Sequence, residues 1–206
     1  MLGEFRIGDM VGEDGSKNLP RSDKQGALVV TQASGKYKEA SRRSHLCFSY
    51  SAARATSVPA TAMIGNIVWN PPGSGVLLSL ATWSVQIQVT SATCLGISLA
   101  YGAQAIIPTG ITVADSYGST FLNAGSPGNC KAKAYSIATL LVIPTVVANL
   151  FHNTAAIEVV GVDKMKGDFE GLWTVPPGYL VCLASLGAAV AAAGMTSTLT
   201  WEEIPE

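Results

Sequence analysis

The sequence predicts an all-β fold: an antiparallel sandwich of jelly-roll type, residues 26–206, preceded by an extended N-terminal arm, residues 1–25. Three observations point there. Short apolar runs are separated again and again by Gly, Pro, Asn and Ser, as in Asn70-Pro71-Pro72-Gly73, Gly125-Ser126-Pro127-Gly128 and Pro176-Pro177-Gly178. Trp83, Val85, Ile87 and Val89 alternate with Ser84, Gln86, Gln88 and Thr90, the period of a strand with one face in a core. Helix signals are weak, and no strand-helix-strand pattern or fixed repeat is present.

Taken in order, residues 1–25 are polar, rich in Gly, Asp and Lys, and without periodicity, which reads as an arm rather than a packed element. Strands are then expected at Ala27–Gln32, Lys36–Ala40, Leu46–Tyr50, Met63–Trp69, Val76–Thr90, Cys94–Tyr101, Ala134–Ile143, Val146–Phe151, Ile157–Val162, Leu172–Val175, Tyr179–Ser185 and Thr196–Trp201. The run Tyr179–Ala184 is apolar on both faces, so it lies at the centre of the sandwich or beneath a partner. Leu186–Ala193, Ala-rich and bounded by Gly187 and Gly194, is too short for a stable helix and reads as a loop or one helical turn. Trp201 is expected to close the core at the last strand, with Glu202 and Glu203 ending it by charge.

Charge is scarce and unevenly placed. The chain is 13% charged, against about 25% for an ordinary soluble domain. Between Ser44 and Ile157 only Arg54, Asp115, Lys131 and Lys133 are ionised, so this stretch is expected to touch other protein. A net charge of −1 offers no field for nucleic acid or anionic lipid. The uncharged stretch Gly171–Trp201 is broken by Pro and Gly and lacks the dense Leu, Ile and Phe of a membrane span, and the N-terminus lacks a signal-peptide core, so synthesis in the cytoplasm is expected. Cys47, Cys94, Cys130 and Cys182 form no C-x-x-C pair and read as free, buried thiols.

Catalytic patterns fail on inspection. VTQASGKY has Val30 and Tyr37 where a phosphate-binding loop needs Gly and Ser or Thr. Gly96-Ile97-Ser98-Leu99-Ala100 sits in a strand, not at a nucleophile elbow. His45 and Cys47 share a strand face but have no identifiable third partner, and Asp163, Asp168, Glu202 and Glu203 read as solvated charges. Lys166-Gly167-Asp168 resembles a cell-adhesion tripeptide, a match short enough to arise by chance. No enzyme activity, cofactor or metal is expected. The one dense basic cluster, Lys36, Lys38, Arg42 and Arg43 with Tyr37 among them, suits an acidic protein surface better than nucleic acid, which needs more stacking aromatics.

The segments GALVVTQASGKYKEASRRSHLCFSYS, GLWTVPPGYLVCLAS and TSTLTWEEIP resemble a group of small tailed-bacteriophage virion proteins, some of which are jelly-roll capsid cement proteins. The resemblance covers about a third of the chain and carries no catalytic residue. It implies a virion protein on the capsid surface that bridges major capsid subunits and assembles as a homotrimer. Shell contact is then expected through Arg6, Lys17, Arg21, Lys36, Tyr37, Lys38, Arg42 and Arg43. The uncharged loops Asn70–Gly75, Thr109–Ser119 and Gly125–Cys130 are expected to form the trimer interface or an exposed knob. The alternative is a tail-associated receptor- or carbohydrate-binding module with Trp69, Trp83 or Tyr117 stacking on sugar.

Overall fold

The structure, a computed structural model, describes residues 46–87, 96–110, 117–121, 130–152, 164–186 and 190–206. The chain divides into two units, Met1–Lys38 and Glu39–Glu206, and every described residue belongs to the second. The arm and the strands expected at Ala27–Gln32, Lys36–Ala40 and Ile157–Val162 lie outside the described residues.

Eleven strands are described: β1 Leu46–Thr56, β2 Ala62–Asn70, β3 Val76–Ile87, β4 Gly96–Ala103, β5 Tyr117–Phe121, β6 Lys133–Thr139, β7 Thr145–His152, β8 Lys164–Asp168, β9 Thr174–Val175, β10 Tyr179–Leu186 and β11 Val190–Pro205. All pairings between them are antiparallel. A six-stranded sheet runs β5-β1-β11-β3-β8, with β9 also on β3, and a five-stranded sheet runs β6-β2-β10-β4-β7. The two pack as a sandwich.

The core between the sheets follows from alternation. Val76, Leu78 and Leu80 of β3 point inward, a bulge opposite Thr200 and Trp201 resets the phase at Ala81, and Trp83 and Val85 continue inward. The Thr200 hydroxyl accepts the Thr82 amide at 2.9 Å, giving the ladder interrupted by that bulge a partner. Trp201, expected to close the core, is fully buried. A second bulge lies on β2, where Gly65 sits at φ 146° and an added β-carbon would stand 2.7 Å from the Leu183 carbonyl oxygen. Only Gly fits there. Past it, Asn66 projects between the sheets, donates to the carbonyls of Ser49 at 3.4 Å and Ser197 at 3.3 Å, and accepts the Ser49 hydroxyl at 2.7 Å.

The five-stranded sheet is buried on both faces, which explains the doubly apolar β10. Val181 and Leu183 face the other sheet, while Leu180, Cys182 and Ala184 join Ile67, Trp69, Ala100 and Leu140 in a second apolar cluster on the opposite face. Chain segments around 104–109 and 139–144 are tied together there: Thr109 and Thr139 exchange backbone bonds of 3.1 and 2.7 Å. The cover comes from this chain, not a partner.

Several expectations are corrected. Tyr117–Ser119, the end of the expected loop Thr109–Ser119, belongs to strand β5, which pairs with β1. Lys164–Asp168 is edge strand β8, whose charges suit a strand bordered by solvent. The segment from Val190 onward is strand, because pairing with β1 overrides the low strand propensity of its alanines. Glu202 and Glu203 do not end pairing, since β11 continues to Pro205 opposite Val76. Cys47 and Cys130 are joined in a disulfide and not free; β1 and the approach to β6 bring their Cα atoms to 6.4 Å across 83 residues, a proximity that spacing does not reveal. Cys182 is free and buried, as expected. Burial pushes its thiol up to about 12.

Candidate interaction surface

Gln104, just past β4, is fully buried in a stretch whose neighbours are exposed. Its side-chain amide donates to the Ile106 carbonyl at 2.7 Å and its side-chain oxygen accepts the Leu141 amide at 2.9 Å. Its own carbonyl accepts the Trp69 indole N–H at 2.8 Å, and its amide donates to Gly178 at 2.7 Å. One residue thus fixes both covering segments to each other and to the sheet. Pro108 and Pro144 of the two segments are buried, and Gly102 leaves the space, 3.4 Å from a would-be β-carbon, in which Pro144 rests.

The outer side of this cover is aliphatic. Ile106, Ile107, Leu141, Val142 and Ile143 are 55%, 60%, 49%, 45% and 61% exposed. The Gln104 side chain bonds Ile106 on one side and Leu141 on the other, so the two groups adjoin. No charged residue occurs in 96–110 or 134–152. Scattered exposed apolar residues are ordinary, whereas a contiguous, hydrogen-bonded platform without charge marks an interaction surface.

A second notable cluster joins Cys47, Cys130 and Glu203, whose sulfur and oxygen atoms lie within 4.8 Å of one another. Both sulfurs are committed to the disulfide. The Glu203 carboxylate is buried and accepts the amides of Lys131 at 3.0 Å and Ala132 at 2.9 Å. It is therefore not the solvated charge expected; with the disulfide it is a clasp fastening β1 and β11 to the start of β6. Cys47, so bonded, is not a nucleophile. Asp168 lies on β8 rather than in a loop and accepts the Glu170 amide at 2.7 Å. Gly167 of the adhesion-like tripeptide packs under Trp83, where a β-carbon would run into the indole.

Arg6, Lys17, Arg21, Lys36, Tyr37, Lys38, Arg42 and Arg43, with His45 and Asp163, lie outside the described residues. Of the expected loops, Asn70–Gly75 is the β2–β3 turn, closed by the buried Asn70 side chain donating to Val76 at 2.8 Å and Val175 at 2.9 Å. Of the aromatics considered for sugar stacking, Trp69 and Trp83 are buried in the two apolar clusters, so neither ring offers a face. The described part of the fold instead exposes Tyr50 and Tyr179. Tyr179 stacks on Tyr101 at 5.2 Å between ring centres, and burial, then the neighbouring Tyr179 phenol, raises the Tyr101 hydroxyl above its ordinary value.

The platform went unnoticed in the sequence, although a signal exists: AIIPT and LLVIPT are apolar runs without alternation that end in Pro-Thr, unlike any of the described strands. No protein-family model and no curated protein matches the chain.

Proposed function

We propose that the protein is a structural, non-catalytic assembly module: a capsid cement protein that docks on the outside of a phage head as a homotrimer and bridges major capsid subunits. The observation that carries the assembly part is the exposed aliphatic platform of Ile106, Ile107, Leu141, Val142 and Ile143, tied together by Gln104. Extended self-contacts are apolar at their centre and depleted in charge, as this platform is. We assign it to the contact between copies. Shell attachment is assigned to the charged first 43 residues, which hold eight of the 13 Lys and Arg.

The strand order supports the jelly-roll part of the reading. One sheet holds β1-β11-β3-β8 and the other β2-β10-β4-β7, with most chain neighbours in opposite sheets, the connectivity expected of two interlocked Greek keys, and with β5 and β6 added at the edges beside β1 and β2. The head location rests on the sequence resemblance alone.

The test has two arms. Light scattering of the purified chain is expected to give a trimer, and Ile107→Lys with Leu141→Lys is expected to give a folded monomer by placing two like charges in the contact. A wild-type monomer at micromolar concentration refutes the assignment of the platform. Quantitative gels of purified particles are expected to show hundreds of copies, and a few tens at most would favour a tail-associated binder.

A further inference from the structure

We propose that the outer face of the six-stranded sheet is a binding surface for a neutral oligosaccharide. The face is built by register. Lys166 pairs with Ser84, Ser84 with Thr198 and Thr198 with Tyr50, so these four side chains form one row across β8, β3, β11 and β1. The adjoining row is Asp168, Thr82, Thr200 and Phe48. At the usual strand spacing, Lys166 and Tyr50 stand roughly 14 Å apart, longer than a single sugar ring.

Two concavities lie along this face and share Ser84. One, of about 430 Å³, lies between β3 and β8, bounded by Thr82, Ser84, Lys166 and Asp168 with Trp83 and Gly167 at its base. The other, of about 150 Å³, reaches from Gln86 over Thr196 and Thr198 to Tyr50. The larger falls in the range of small-ligand sites.

The chemistry of the lining selects the ligand. Hydroxyls and an amide supply donors and acceptors in both directions, which a polyhydroxylated ligand answers. The two ionised groups, Lys166 and Asp168, stand side by side with opposite sign, so neither an anion nor a cation meets a net field. Tyr50, 38% exposed, brings to the row an aromatic ring of the kind that packs against the apolar face of a pyranose, and the register continues the row to Tyr117 of β5. This is not the platform on the five-stranded sheet, and it shares no residue with it. Nor does it call on the ring of Trp69 or Trp83 for stacking, both side chains being buried.

The experiment titrates the full chain with maltohexaose, cellohexaose, mannohexaose and chitotetraose, with a heparin hexasaccharide as the anionic control, and reads backbone amide shifts and heat. At least one neutral sugar is expected to move the amides of Ser84, Gln86, Thr196 and Thr198 and leave those of Ile107 and Leu141 unmoved. Tyr50→Ala is expected to weaken that binding about tenfold, the equivalent of 1.4 kcal/mol. Should Tyr50→Ala lower the melting temperature, Thr198→Val, which keeps the shape and deletes the hydroxyl, is expected to weaken binding in its place. No saturable shift with any neutral sugar at about 10 mM, where a 1 mM ligand would be bound, overturns the proposal. So does preference for heparin, or binding that Tyr50→Ala and Thr198→Val leave unchanged.

Discussion

Replacing Gln104 by Ala removes the single side chain that holds both segments of the platform. Two hydrogen bonds disappear, at 2.7 Å to Ile106 and 2.9 Å to Leu141. Each contributes about 1 kcal/mol net. Water reaches the freed Ile106 carbonyl and Leu141 amide, because both residues are exposed, so the larger penalty for a buried unpaired group does not apply. The expected loss is about 2 kcal/mol, or about 4–8 °C in melting temperature for a domain of this size. The Trp69 and Gly178 bonds use the Gln104 backbone and survive. The damage is therefore local: hydrogen exchange at Leu141 should accelerate about thirtyfold, the rate equivalent of 2 kcal/mol, while β10 amides keep their protection relative to global stability. Self-association should weaken along with it, since a loosened platform must be reordered on contact. A melting temperature within a degree of wild type together with unchanged Leu141 exchange would refute the reasoning.

Glu203→Ala should cost about 3 kcal/mol, because two charge-assisted bonds to the Lys131 and Ala132 amides are lost together; Glu203→Gln should recover less than half, its amide nitrogen being unable to accept, as urea unfolding curves will measure. Reduction of Cys47–Cys130, which closes 83 residues, should lower stability by about 4.5 kcal/mol on the chain-entropy account, visible as a shifted urea midpoint with dithiothreitol. Cys182 should resist iodoacetamide at pH 8.5 in the folded protein and react once the chain is unfolded. Its thiol titrates at about 12 when folded against the ordinary 9.0, so above pH 9.0 the unfolded chain releases the proton first and stability falls as pH rises toward 12. The difference in stability between wild type and Cys182→Ala, followed against pH, isolates that slope.

The fold class was legible because two signals act locally. Alternation along β3 and β11 reports which side chains face the core, and Asn-Pro-Pro-Gly and Pro-Pro-Gly report where the chain reverses. What escaped depends on long-range pairing. β5 has no apolar pattern of its own and is strand because β1 offers an edge. The start of β11 is Ala-rich and is strand for the same reason. Glu203 reads as a surface charge in WEEIP until β11 carries it beside the amides of Lys131 and Ala132. The disulfide failed for a related cause: an apolar setting around Cys47 is equally compatible with a thiol and with a buried bridge. For the platform, the apolar runs were visible, but which side of them faced water depended on Gln104, a polar residue whose burial nothing local foretells.

These findings change what the scarcity of charge means. Read from composition, an uncharged middle suggests flanks hidden by partners. In the fold, one face of the five-stranded sheet is hidden by the chain's own segments, and the outer face of the six-stranded sheet, which carries Lys166 and Asp168 at its β8 edge, is rich in hydroxyls that water can satisfy. Neither needs a companion. Among the described residues, the exposed aliphatic side chains that form a group are the five of the platform, each close to half exposed or more. Burying the exposed part of each is worth roughly 1 kcal/mol, so about 5 kcal/mol per platform is available to hold copies together. That attraction contains no ion pair, and salt within the physiological range should leave it nearly unchanged. The first 43 residues carry 14 of the 27 charged side chains and the platform carries none, so an attachment that weakens steeply with salt is assigned to them. Ionic strength thereby separates the two contacts assigned to this protein: a trimer that persists in high salt while particle binding is lost places self-assembly on the platform and docking on the arm, and a trimer that dissolves with salt removes the platform from the account.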